Sequence, residues 1–84
     1  MKGVLEEKSF QFAIRIVNLN RFLVDNKKEY VLSKQILRSG TSVGANISEA
    51  QFAQSKADFV SKMHISLKEA SETRYWLRLL EAQI

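Results

Sequence analysis

Arg38, Glu49, Glu69 and Glu72 are the side chains from which a reactive site would first be assembled. Glutamates projecting into a helical bundle hold paired metal ions in carboxylate-bridged proteins, and those sites draw their remaining ligands from Glu-x-x-His. The single histidine, His64, has Ser61 three residues before it, so that pattern is broken. With one imidazole and no cysteine, the chain offers neither zinc-ligand spacing nor a serine suitably paired with histidine. Gly40 and Gly44 stand four apart inside a helical pattern, unlike a phosphate-cradling loop. Arg38, Asn46 and Glu49 flank them, which argues for close packing in water over a membrane-helix dimer. The expectation is a protein that is not an enzyme and uses no cofactor or metal. Arg38, Asn46, Glu49, Glu69 and Glu72 are then read as polar clamps. An inward-facing Asn without a partner costs about 1–3 kcal/mol, enough to disfavour slipped alignments of two helices.

The cations allow a different chemistry, the neutralisation of phosphates. Lys and Arg number 13 against 9 Asp and Glu, for a net charge of +4. The excess lies in the first half, where Lys2, Lys8, Arg15, Arg21, Lys27, Lys28, Lys34 and Arg38 outnumber Glu6, Glu7, Asp25 and Glu29. A basic surface of this kind fits nucleic acid or an acidic protein. Lys8, Arg15, Lys27, Lys28 and Lys34 are the candidate phosphate contacts. Tyr75 and Trp76 could stack on bases, but Trp76 adjoins Leu77 in an apolar line, which favours packing in a core or subunit interface.

Three helices must position these groups. The first, over about residues 4–25, carries two apolar stripes: Phe10, Ile14, Val17, Arg21 and Val24, and Leu5, Phe12, Ile16, Leu19 and Leu23. At about 100° per residue the stripes lie on nearly opposite sides. One side is expected to pack within the chain and the other, Leu5, Phe12, Ile16, Leu19 and Leu23, to meet a second subunit. Arg21 within its stripe is expected to snorkel or to meet a carboxylate. Asp25 to Glu29 form a short polar turn that favours an antiparallel neighbour.

The second helix, about 30–52, has an apolar stripe of Ile36, Gly40, Val43, Ile47 and Ala50. Its Ser, Thr, Asn and Gly content makes it weak alone, so it needs a close neighbour. Ser55 and Asp58 resemble a capping box opening a third helix, about 56–84. That helix carries Met63, Ala70, Leu77 and Ile84 every seven residues, with Phe59, Ser66, Thr73 and Leu80 as a companion line. An antiparallel second and third helix would set Gly40 against Ala70, Gly44 against Ile65 or Ser66, and Asn46 against Met63. Arg38 would then reach Glu69 or Glu72, and Glu49 would approach Lys62 or the capped start of the third helix. The fold class is all-α, an up-and-down antiparallel bundle in a single domain. With 84 residues and no disulfide to staple them, the bundle is expected to gain stability from a partner chain. No apolar run is long enough to span a membrane and no secretory signal opens the chain, so a soluble cytoplasmic protein is expected.

The residues Gln35-Ile36-x-Arg38-Ser39-x-x-Ser42-Val43-x-x-Asn46-Ile47-Ser48-Glu49-Ala50 resemble the second-helix signature of the bacterial four-helix-bundle proteins. These are also known as 23S ribosomal RNA intervening-sequence proteins. Ser55-x-x-Asp58-Phe59 and Ile65-Ser66-Leu67-Lys68-Glu69-Ala70-x-Glu72-Thr73-x-Tyr75-Trp76-Leu77 resemble the third helix of the same family. The resemblance implies a four-helix bundle whose fourth helix this chain lacks, assembled as a homopentameric ring. It also implies kinship with the accessory protein of diversity-generating retroelements, a basic pentamer that binds nucleic acid and a reverse transcriptase. The expected function is a non-enzymatic oligomeric scaffold or adaptor that binds RNA or DNA through a basic surface. A protein-interaction module with no nucleic-acid role is the alternative.

Overall fold

A computed structural model describes residues Lys2–Gln83. Three helices follow one another, α1 (Lys2–Lys27), α2 (Leu32–Ala50) and α3 (Lys56–Gln83), in an elongated antiparallel arrangement. Ile84, the last member of the heptad line, lies outside the described residues. Among the described residues there are three helices and no strand, and the fourth helix implied by the resemblance is not among them.

The central helix is α2, which packs on α1 along one side and on α3 along the other. Its apolar stripe faces inward: Ile36 is completely buried, Gly40, Ile47 and Ala50 are buried, and Val43 is half-buried. Its polar residues are consumed within the helix. Ser33, Ser39, Thr41, Ser42, Asn46 and Gln51 each donate to the carbonyl four residues back, at 2.7–3.0 Å. Such bonds ordinarily make these residues neutral or unfavourable in a helix interior. Here they allow a helix rich in hydroxyls to be enclosed between two neighbours.

The assignment of the two α1 stripes is the reverse of the sequence expectation. Ile16 and Leu23 are buried and form the core with Ile36, while Phe12 and Leu19 pack against it with Leu32, Leu37, Trp76, Leu77 and Leu80. Leu5, the fifth member of the stripe assigned to a subunit interface, is exposed. The other stripe turns outward, with Phe10 62% exposed and Ile14 40% exposed. Both stripes are apolar, so periodicity could not say which one meets α2. The complementary surface decides it, because Ile16 fits the hollow left by Gly40. A Cβ built on Gly40 would lie 2.8 Å from two carbons of Ile16, and one on Gly44 would lie 3.2 Å from the Ser9 carbonyl oxygen. The glycines therefore admit α1. The expected facing of Gly40 with Ala70, and of Gly44 with Ile65 or Ser66, did not anticipate this.

The two connections are fixed by local chemistry. After α1, Lys28 adopts a left-handed backbone with φ 55, and the Glu29 N–H returns to the Leu23 carbonyl at 2.9 Å. The Lys28 ammonium donates to the Asp25 carbonyl at 3.1 Å, a favourable place for a cation at a helix C-terminus. Val31, at the start of α2, supplies no side-chain cap. Glu29 does so instead, its carboxylate accepting the Leu32 N–H at 3.0 Å and the Ser33 N–H at 2.7 Å. At α3, Ser55 Oγ accepts the Asp58 N–H at 3.0 Å, and Asp58 Oδ2 accepts the Gln54 N–H at 3.2 Å. This is a capping box whose return bond lands one residue before the usual position.

Candidate functional site

Two groups of predicted residues can be located, the polar seam between α2 and α3 and the basic surface. On the seam, the Arg38 guanidinium lies between two carboxylates. It donates to Glu69 Oε1 at 3.2 Å and also to Glu72 Oε2. Glu72 Oε2 accepts the Trp76 indole N–H at 3.0 Å as well. This Trp76 bond, followed by Arg38, holds the Glu72 carboxyl below its ordinary value, and Glu72 in turn raises the Arg38 guanidinium. One turn from the α2–α3 connection, the Lys62 ammonium donates to Glu49 Oε1 at 2.9 Å, which raises its own titration. These pairs are exposed, so they fix geometry more than they add stability.

Asn46, expected to complete the clamp across the seam, does not cross it. Its amide donates to the Ser42 carbonyl of its own helix at 2.9 Å. The buried cross-helix ties come from hydroxyls instead. Ser66 Oγ donates to the Val43 carbonyl at 2.9 Å. Thr73 Oγ1 lies 2.8 Å from both Ser39 Oγ and the Glu69 carbonyl. The sequence showed Ser66 and Thr73 only as small polar interruptions of an apolar line. In the structure they are buried, and among the described residues no buried side-chain polar atom lacks a partner. Their heptad spacing from Phe59 and Leu80 was the available signal, since a hydroxyl recurring on a seam must be matched across it.

The candidate phosphate contacts fall in two places. Lys8 and Arg15 are exposed on α1, whereas Lys27, Lys28 and Lys34 are exposed around the α1–α2 connection. Lys8 and Lys27 are separated by about 30 Å of helix at 1.5 Å per residue, so the five do not form one patch. Arg21 is exposed and pairs with no carboxylate among the described residues. Trp76 is half-buried against the core, edge-on to Tyr75 with ring centroids 5.3 Å apart. It is therefore not a free stacking platform, while Tyr75 is exposed.

An apolar groove runs between α1 and α3, with Leu32 of α2 contributing to its lining. Phe12, Ala70, Thr73, Leu77 and Leu80 line one stretch of it, with Arg74 and Arg78 at the rim. Leu19, Leu23, Leu32 and Leu79 line the next stretch. Among the described residues no three His, Asp or Glu side chains are grouped as a metal site would require. No helix of the structure is long and apolar enough to cross a membrane.

Comparison with known proteins places this geometry in context. A family model described as 23S rRNA-intervening sequence protein matches residues 4–83. Among solved structures, the chain is similar to a protein of unknown function from the S23 ribosomal protein family of Bacteroides thetaiotaomicron. The two share 63% identity and a TM-score of 0.97, and the match covers 99% of this chain and 75% of that one. Among curated proteins there is no significant match.

Proposed function

The chain belongs to the 23S rRNA-intervening sequence protein family, and from that premise we propose that it is a non-enzymatic helical scaffold that self-associates and binds RNA or DNA. The observation that carries the nucleic-acid part is the distribution of ion pairs. Among the described residues the salt bridges engage Arg38 and Lys62, while Lys8, Arg15, Lys27, Lys28 and Lys34 face solvent with no carboxylate partner. An unpaired cation is free to replace a counterion on a phosphate.

The exposed apolar side chains support self-association. Phe10, Ile14 and Phe22 on α1, with Leu67 and Tyr75 on α3, are exposed large apolar side chains that a second copy could cover. Repetition around a ring, a homopentamer by resemblance, would multiply a modest basic surface into an avid one. Cytoplasmic residence and a reverse transcriptase as protein partner belong to the same reading. The α1–α3 groove favours the second reading, a protein-interaction module without nucleic acid, because its apolar lining suits the apolar face of an amphipathic helix.

Titration against RNA and DNA at several salt concentrations, with native mass measured alongside, tests the first reading. Log affinity is expected to fall with log salt by about 0.9 per phosphate contact on duplex DNA. A flat salt response, or absence of binding at low salt, refutes nucleic-acid recognition. A monomeric native mass refutes the scaffold. Capture of a protein partner that survives nuclease treatment and is lost on replacing Leu77 with Lys would favour the second reading.

A further inference from the structure

The turn joining α1 to α2 displays more unpartnered side chains than its internal rigidity requires. Tyr30 is 58% exposed and Val31 72% exposed, although the backbone on both sides of them is held. Before them stands left-handed Lys28, with the Glu29 N–H bonded to the Leu23 carbonyl. After them the Glu29 carboxylate holds the Leu32 and Ser33 N–H groups. The Tyr30 ring therefore projects from a fixed backbone.

Cations outnumber acids on the turn and the helix ends that adjoin it. Lys27, Lys28, Lys34 and Arg21 are exposed, and none pairs with a carboxylate among the described residues. Lys27 Nζ lies 5.9 Å from the centroid of Phe22, itself an exposed aromatic ring. Three acids share this end, Asp25, Glu29 and, near the end of α3, the exposed Glu81. Glu29 is engaged by the backbone N–H groups of α2, so its charge is already answered. Asp25 is exposed, and Lys28 takes its backbone carbonyl rather than its carboxylate. The opposite end provides an internal contrast. Phe52 is 83% exposed there, but of the two lysines near it Lys62 is paired with Glu49, which leaves Lys56 as one exposed cation without a carboxylate partner among the described residues, against the three of the α1–α2 turn.

We propose that the α1–α2 turn is a binding site for single-stranded nucleic acid, with the Tyr30 ring stacking on one unpaired base and Lys27, Lys28 and Lys34 contacting the flanking phosphates. A duplex hides the faces of its bases, so an exposed ring on a rigid turn is useful only to an unpaired strand. The site deepens, and rests on, the nucleic-acid reading given above.

Fluorescence anisotropy with a labelled single strand and with its duplex, at low and high salt, tests it. The proteins to compare are the wild type, Tyr30→Ala, Tyr30→Phe, Phe52→Ala and the triple variant Lys27→Gln/Lys28→Gln/Lys34→Gln, each checked for helicity by circular dichroism. The wild type binds the single strand more tightly than the duplex. Tyr30→Ala weakens single-strand binding by about 5- to 100-fold, Tyr30→Phe retains it because the ring remains, and Phe52→Ala leaves it unchanged. The triple variant reduces the salt slope by roughly 2, at about 0.7 per phosphate for a single strand. If Tyr30→Ala binds as the wild type does while the triple variant weakens, the stacking site is overturned and the wider nucleic-acid reading survives. If no oligonucleotide binds at any salt concentration, both fall. Binding to phosphatidylserine vesicles but to no oligonucleotide, abolished by Tyr30→Ala, would replace the proposal with a membrane surface.

Discussion

The two joints of this molecule are built from different chemistry. Where α1 meets α2, a β-branched side chain enters a glycine hollow, and among the described residues the one side-chain hydrogen bond across that joint runs from the Asn20 amide to the Ser33 carbonyl at 3.1 Å. Where α2 meets α3, the approach is marked by hydroxyls, flanked by Arg38 between two carboxylates and by the Glu49–Lys62 pair. The first joint specifies alignment by shape, and a wrong alignment there creates overlap. The second specifies it by matching donors with acceptors, and a wrong alignment there leaves polar groups bare.

If this contrast is right, substitutions at the α1–α2 joint have the larger effects. Ile16→Ala removes the side chain that fills the Gly40 hollow and should cost about 2–5 kcal/mol in a urea melt. Gly40→Ala gains about 1 kcal/mol of helix propensity. It also places a carbon 2.8 Å from two atoms of a buried isoleucine. Overpacking costs about 1–3 kcal/mol, so the net is destabilising. The double variant should lose less than the sum, because each change relieves the other. Strict additivity would mean that the two residues are not in contact.

At the α2–α3 joint, Thr73→Val keeps the shape and removes the hydroxyl. The expected loss is about 0.5–1.5 kcal/mol, smaller than for Ile16→Ala. A loss above that of Ile16→Ala would reverse the comparison.

The connection at Glu29 should show itself through pH. Burial pushes the Glu29 carboxyl up, but the N–H groups of Leu32, Ser33 and Val31 outweigh this and hold it below its ordinary value of 4.5. The stabilisation from Glu29 is thus fully present above that value and disappears as pH falls through the lower folded value. Melting followed by circular dichroism between neutral and strongly acidic pH should show a shallower acid-side decline in Glu29→Gln than in the wild type. Unchanged acid sensitivity would remove Glu29 from its role as the cap of α2.

The smallest effect is expected from Arg38→Gln. Its guanidinium is exposed and the two carboxylates are only half-buried, so the change in melting temperature should be slight and should vanish in high salt. A large, salt-independent loss would mean that the α2–α3 joint depends on its charges more than on its hydroxyls.

Much of this architecture was legible in the sequence. The Ile36, Gly40, Val43, Ile47 and Ala50 line announced a helix that needs a close neighbour, and the short connections implied antiparallel packing; that this helix is the central one shows only in the structure. Arg38 could be brought to Glu69 and Glu72, and Glu49 to Lys62, from chain geometry alone. The orientation of α1 was not legible. Phe10 and Ile14 are as apolar as Ile16 and Leu19, and only the fit of Ile16 against Gly40 separates inside from outside. Asn46 does not cross the seam because its amide is taken by the Ser42 carbonyl of its own helix, a bond that spacing along the seam does not reveal. Glu29 was missed as a cap because helix N-caps are sought in Ser, Thr, Asp and Asn, whereas here a longer carboxylate reaches forward from within the turn. The candidate phosphate contacts were identified by charge alone, which carries no information on distance, and they separated into two places.

Because Ser33, Ser39, Thr41, Ser42 and Asn46 each find an acceptor four residues back, removing water from them asks little of either neighbour. These donors leave solvent with an acceptor already in place one turn away, whichever surface arrives. A middle helix equipped in this way can be wrapped early in folding by flanks that are still sliding. The steric notch and a handful of ties then choose the final position.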